Sequence, residues 1–170
     1  MVASWAIKQS QQVFTAILSV ETTTINWSLG LRRLIIPGPE PVPLSGMPFD
    51  HARNQACLMF LQSGMRYLFF IDSDVVAPPD TILRLMAHNL PIVSGMYCRR
   101  SPPVSIPVMQ RPVGHWLQTP PGSGLVEVDV VGAGCLLIRR DVIETLPPQR
   151  PKAGKHWFDW RVDMGGVLPG

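Results

Sequence analysis

The stretch YLFFIDSDVVAPPDTILRLM, residues 67–86, delivers two aspartates, Asp72 and Asp74, at the end of an apolar run. Carboxylates one residue apart repel each other, and a divalent cation offsets that repulsion. Carboxylate oxygens suit Mg2+ or Mn2+, and Mg2+ commonly joins one or two carboxylates to substrate phosphates. The pair therefore points to a metal-bridged phosphate or diphosphate site, with Asp72 and Asp74 as the metal ligands. The plainer reading is that the two aspartates end a strand and cap the next helix, since aspartate is common in turns. The apolar residues 68–71 directly before them weigh toward a site.

The elements that must position the pair follow from periodicity. VFTAILSV, residues 13–20, is a β-branched apolar run and so a buried strand. In ETTTINWSLGLRRLII, Trp27, Leu31 and Leu34 fall at helical spacing, and Thr24 or Asn26 can cap. Residues 37–48 form a Pro/Gly loop with a short strand at 42–46. FDHARNQACLMFLQSG, residues 49–64, carries an apolar stripe of Ala52, Ala56, Met59 and Phe60. Asp50 is its candidate N-cap and Gly64 its terminator. YLFFI, residues 67–71, reads as a strand covered on both faces. A helix over 77–89 opens with prolines and ends near Asn89, and a strand follows at 91–98. Residues 99–124 are proline-rich and irregular, and 125–146 reads as strand, glycine turn, strand, short helix. This order predicts an α/β architecture, a Rossmann-like and largely parallel sheet with helices on its faces and a more β-rich, irregular C-terminal part. Ligands of such sheets lie beyond the C-terminal strand ends, where Asp72, Ser73 and Asp74 fall.

The chain has 170 residues, enough for one domain with a sizeable core. Its formal charge is +3, and its basic residues come as pairs (Arg32-Arg33, Arg99-Arg100, Arg139-Arg140) and not as one long run, too sparse for a nucleic-acid footprint but suited to an anionic small substrate. Those pairs otherwise read as solvated surface. Cys57, Cys98 and Cys135 are far apart with no CxxC spacing, which predicts reduced core thiols and not a zinc knuckle. No apolar run reaches membrane-span length, and the first twenty residues lack a signal-peptide layout, so the expectation is a soluble, cytoplasmic protein.

YLFFIDSDVVAPPDTILRLMAHNLPIVSGMYCRR resembles the DxD region of family-two glycosyltransferases with the GT-A fold. MPFDHARNQACLMFLQSG is similar to that family's Arg-Asn helix, and VEVDVVGAGCLLIRRDVIETL to the glycine-containing strand–turn–strand that borders its acceptor pocket. The resemblance covers residues 13–146. It implies one GT-A domain, with a nucleotide-sugar-binding half at 13–98 and an acceptor-side part at 99–170. It implies that Asp72 and Asp74 hold the donor's diphosphate through Mn2+ or Mg2+. Asp74 would be the direct ligand, and Asp72 would face the nucleotide or the metal's water shell. Ser19 to Glu21 take the place of the nucleotide-facing turn, although SVET replaces the usual Pro-Thr-Tyr-like residues. Arg53, Asn54 and Ser73 fall on the donor side; Arg53 otherwise reads as a surface helix residue. Gly132, Ala133 and Gly134 match the acceptor-side turn, which otherwise is a tight turn needing glycine dihedrals.

Glycosyl transfer breaks an anomeric C–O bond and leaves charge on the diphosphate, which a metal stabilises as a Lewis acid. An inverting enzyme also needs a base for the acceptor hydroxyl. In the family an acidic motif follows an aromatic segment, and a metal-binding His comes later. KHWFDWRVDMGGVLPG resembles the aromatic segment, but no Glu-Asp pair follows it. Asp159 and Asp163 are the acids there, each more simply a solvated turn residue, and His156 precedes the segment. The expectation is a donor-binding half whose catalytic centre is incomplete, or completed by another chain. Trp116, Trp157 and Trp160 offer faces that stack on sugars or pack into a core or lid. Two other readings stay open. One is a haloacid dehalogenase-like phosphatase with Asp72 as nucleophile and Asp74 as acid/base, although that fold normally carries the motif on its first strand. The other is a nucleotide-sugar-binding remnant without catalysis.

Overall fold

The computed structural model describes residues 12–19, 22–98, 107–110, 112–115, 117, 124–146 and 157–158. In chain order the elements are β1 (Val13–Ser19), α1 (Ile25–Arg33), β2 (Val42–Ser45), α2 (Phe49–Ser63), β3 (Tyr67–Asp72), α3 (Thr81–Ala87), β4 (Ile92–Ser94), β5 (Met109–Gln110), β6 (Val130–Val131), β7 (Cys135–Arg139) and α4 (Arg140–Thr145). The main sheet has the order β2-β1-β3-β7-β4. β1 lies parallel to β2 and β3, whereas β7 is antiparallel to both β3 and β4. The sheet is thus mixed: β2, β1, β3 and β4 point one way, and β7 is wedged among them in reverse. Four of the five strands thus keep the largely parallel order expected, and β7 is the exception.

Side-chain alternation along the strands explains the two-sided burial. Phe14, Ala16, Leu18, Leu68, Phe70, Leu136 and Ile138 pack with α2 and α4 through Ala52, Ala56, Cys57, Phe60 and Ile143. Val13, Ile17, Tyr67, Phe69, Ile71 and Leu137 pack with α1 and α3 through Trp27, Ile82 and Leu85. β3 therefore has no solvent face, which is why YLFFI is continuously apolar. Each of its buried phenylalanines contributes about 1.5–3 kcal/mol relative to exposure.

Thr24 caps α1: its Oγ1 accepts from the Trp27 N–H at 3.2 Å. Arg32 and Arg33 in its last turn complement the helix dipole. α2 starts after Pro48, so Asp50 is not its N-cap as expected but an acid inside the first turn, where the dipole favours it. Gly64 ends α2 with φ 72°, as expected. Arg140 completes that end: its guanidinium donates to the carbonyls of Met65 (2.6 Å) and Phe60 (2.8 Å) and lies 4.6 Å from the Phe60 ring centroid. It is a helix cap, not the solvated surface residue expected of the arginine pair. Arg139 beside it does pair at the surface, with Asp141.

Three elements are shorter than their periodicity suggests. α3 begins at Thr81, after both prolines, and Asn89 follows it with a left-handed φ of 51°. β4 covers only Ile92–Ser94, because the chain leaves the sheet after Gly95 donates to the Cys135 carbonyl. Of the strand expected from residue 125, only Val130–Val131 pairs, with β5. The cysteines are free, and burial pushes the Cys57 and Cys135 thiols up to about 12 and about 11. Among the described residues, no helix is long and apolar enough to cross a membrane.

Candidate functional site

Because β7 runs in reverse, the turn that starts it lies at the same sheet end as the last residues of β1 and β3. The register sets Leu18 beside Asp72, and Ile71 beside Cys135. Ser19, Asp72, Ser73 and the turn of Gly132, Ala133 and Gly134 therefore meet at one edge. The backbone there is tied down from several directions. The Asp72 N–H donates to the Gly134 carbonyl at 3.0 Å, and the Ser73 N–H to the Leu18 carbonyl at 2.9 Å. The Asp72 carbonyl accepts from the Val75 N–H at 3.0 Å and from the Trp27 indole N–H at 3.1 Å.

From α2, Arg53 reaches over to the Asp72 carboxylate. Its Nη2 donates to Oδ1 at 3.0 Å and Oδ2 at 3.2 Å. The guanidinium lies 5.7 Å from the Phe49 ring centroid and 6.0 Å from that of Phe70, and only 13% of the side chain is exposed. Arg53 is thus not a surface helix residue. Its Nε is buried without a partner among the described residues. Burial pushes the Asp72 carboxyl above the ordinary carboxylate value; the Arg53 charge and hydrogen bond oppose this, and the Asp74 charge adds to it. Asp74 itself is exposed at the rim.

Tyr97 was not singled out by sequence, yet it underlies the turn. Its hydroxyl accepts the Gly134 N–H at 2.8 Å. A methyl group added at Gly134 would stand 2.8 Å from that hydroxyl and 2.9 Å from Asp72 Oδ2, so the two oxygens flank the bare glycine. A methyl at Gly132 would collide with the same hydroxyl and come within 2.6 Å of Val108 Cγ1. Neither glycine has positive φ. They are required for room, not for glycine dihedrals, which corrects the tight-turn alternative. Burial, with the nearby Asp72 charge assisting, raises the Tyr97 hydroxyl above its ordinary value, so it holds its proton.

Asn54, the neighbour of Arg53, is turned to another task. Its Oδ1 accepts from the N–H groups of Trp157 (2.7 Å) and Phe158 (3.0 Å), and its Nδ2 donates to the Phe158 carbonyl at 2.7 Å. Phe158 stacks edge-on against Phe70 at 5.5 Å, and the Trp157 indole N–H donates to the Ile143 carbonyl at 2.8 Å. Asn54 thus clamps residues 157–158 onto the α2–α4 face, where the expectation was a donor contact. Trp157 is anchored on that face, with its indole N–H tied to α4. Glu21, Asp159 and Asp163, together with Trp116, His156 and Trp160, lie outside the described residues.

Among the described residues no cluster of three or more His, Cys, Asp or Glu is placed to hold a metal. The donor set at the sheet edge is two carboxylates, one exposed and one engaged by arginine. Hard oxygen donors of this kind fit Mg2+ or Mn2+ held by one or two carboxylates, with phosphate oxygens and water completing the shell. Asp74, which is exposed, would be the carboxylate to take such an ion, with Asp72 two residues before it.

Of the residues missed in sequence, Trp27 was visible only as a helix-stripe residue, and Tyr97 carried no signal, because its importance comes from glycines 35 or more positions away. No known protein family matches the chain, and no curated protein matches it. Among solved structures it is similar to one titled "Crystal Structure of A197 from STIV", with a TM-score of 0.55 and 21% identity over 79% of this chain and 69% of that one. At that identity the likeness is one of fold.

Proposed function

We propose that the protein binds a nucleoside diphosphate sugar at the end of β3, through Mg2+ or Mn2+ on Asp74 and Asp72, and transfers the sugar to an acceptor beyond the Gly134 turn. The observation that carries this reading is the acidic pair at the tip of the central strand, with the Arg53 guanidinium set against Asp72. When bound, the cation supplies charge neutralisation for the departing diphosphate. Arg53 keeps a second positive charge at the strand tip and holds Asp72 in one orientation. Trp27, through the Asp72 carbonyl, and Gly134, through the Asp72 N–H, fix the backbone that aims the pair. The phosphatase alternative asks Asp72 to attack phosphorus with a free oxygen; both its oxygens accept from Arg53, which weighs against it.

A thermal-shift screen of nucleoside diphosphates and nucleotide sugars, with and without Mn2+, tests the reading. A ligand at a hundred times its Kd stabilises the native state by about 2.7 kcal/mol. A metal-dependent rise that is lost in Asp74→Asn is expected. Absence of any shift across the panel overturns the reading, and binding without sugar transfer or hydrolysis reduces it to a binding module.

A further inference from the structure

A concavity lies on the α1–α3 side of the sheet, between the segment that follows Asp74 and the chain leaving β4. Its volume is about 290 Å³. A cavity of about 150 Å³ already admits benzene, so this one has room for a ring and a substituent. Val75, Val76, Pro78, Leu85 and Met96 supply apolar walls, and Cys135 and Tyr97 also line it. Arg84 and His88 line the same space, one helical turn apart, so they share a face at the end of α3. No carboxylate among the described residues forms an ion pair with Arg84. Among the described residues that line it, Arg84 is the one with a permanent charge, so this wall of the cavity is positive.

A chamber of mixed lining, with apolar walls on one side and on the other an imidazole and a guanidinium that has no ion-pair partner among the described residues, selects a ligand that is greasy at one end and anionic at the other. We propose that this cavity binds a small amphipathic anion, an aryl or short alkyl carboxylate, with its apolar body against Val75, Leu85 and Met96 and its acid group between Arg84 and His88. The inference goes beyond the reading of the β3 site and does not depend on it. Tyr97 connects the two, since it lines the cavity while its hydroxyl holds the turn beside Asp72.

Ligand-observed NMR titration with benzoate, benzyl alcohol and benzylamine tests the proposal on the full chain, without metal or nucleotide. Benzoate is expected to bind tightest and benzylamine weakest. Arg84→Gln should weaken benzoate about fivefold, the worth of a partly exposed ion pair, and leave benzyl alcohol unchanged. Val76→Trp, at a position 57% exposed and so tolerant of bulk, should fill the chamber and abolish both. Equal binding of the three probes, saturation by none of them, or benzoate affinity untouched in Arg84→Gln would overturn the proposal. Arg84 is an exposed helix position, so its variant keeps the test decisive if the tryptophan perturbs folding.

Discussion

Replacing Gly134 with alanine tests the construction of the sheet edge most directly. The added methyl group would meet Tyr97 Oη at 2.8 Å, Asp72 Oδ2 at 2.9 Å and Tyr97 Cζ at 3.0 Å. Contacts this close require something to move. The carboxylate is held by Arg53, so the tyrosine ring is the part that yields. Overpacking of this kind costs about 1–3 kcal/mol, and the Gly134 N–H loses its acceptor, worth roughly 1 kcal/mol more. Gly134→Ala should therefore lower the unfolding free energy by about 2–4 kcal/mol in urea titrations. Tyr97→Phe alone removes the hydroxyl and should cost about 1 kcal/mol through the unpaired N–H. The double variant removes the oxygen that the methyl strikes, so its cost should fall below the sum of the singles by at least about 0.5 kcal/mol. Strict additivity would show that the methyl and the hydroxyl never meet, and the argument that these glycines are there for space would fail. The same variants read out function: Gly134→Ala should weaken Mn2+-dependent nucleotide binding, because it presses on Asp72, whereas Tyr97→Phe should leave it nearly intact.

Further tests follow from the charges and caps. Carbon-13 titration of Asp72 should place its carboxyl above the ordinary 3.8, higher again in Arg53→Gln and lower in Asp74→Asn. Since the folded carboxyl holds its proton more readily than the unfolded one, this group's contribution to stability falls as pH rises from 3.8 through its raised folded value, and Arg53→Gln widens that window upward. Arg140→Ala, which strips the α2 carbonyls of charge-assisted bonds, should cost about 2–3 kcal/mol in urea unfolding, while Arg139→Ala should leave the urea midpoint where it is. Asn54→Ala should cost about 1–3 kcal/mol by orphaning part-buried backbone groups of residues 157–158, and should expose Trp157 to fluorescence quenchers. With thiols at about 12 and about 11, Cys57 and Cys135 should resist iodoacetamide at neutral pH in the native state and react after denaturation.

The layered architecture was legible because period-two and period-3.6 patterns report burial directly. β1, β3 and α2 stand within a residue or two of where periodicity put them. The position of Asp72 beyond a doubly buried strand was legible for the same reason. The reversal of β7 was not, since CLLIR has the same apolar character in either direction and only its partners fix its sense. Arg53 and Asn54 are adjacent on one helix, yet the 100° turn between them sends one to Asp72 and the other to residues 157–158. Composition cannot separate such neighbours. Arg140 looked like its partner Arg139, and what distinguishes them is the end of α2, some eighty residues earlier.

The reversed strand also sets an order of assembly. β4 is made before β7, but it enters the sheet only through β7, by the pairs Ile92 with Ile138 and Val93 with Leu137. While a ribosome is still extending the chain toward residue 135, β3 has β1 on one flank and a bare ladder of amides and carbonyls on the other. β4, though already synthesised, has nothing to zip against. The closing step is a long-range one, which folding kinetics makes slow, and until it occurs the greasiest strand of the protein presents an edge that neighbouring chains can extend. A nascent molecule of this kind would gain most from a chaperone in the interval between the synthesis of α3 and that of α4.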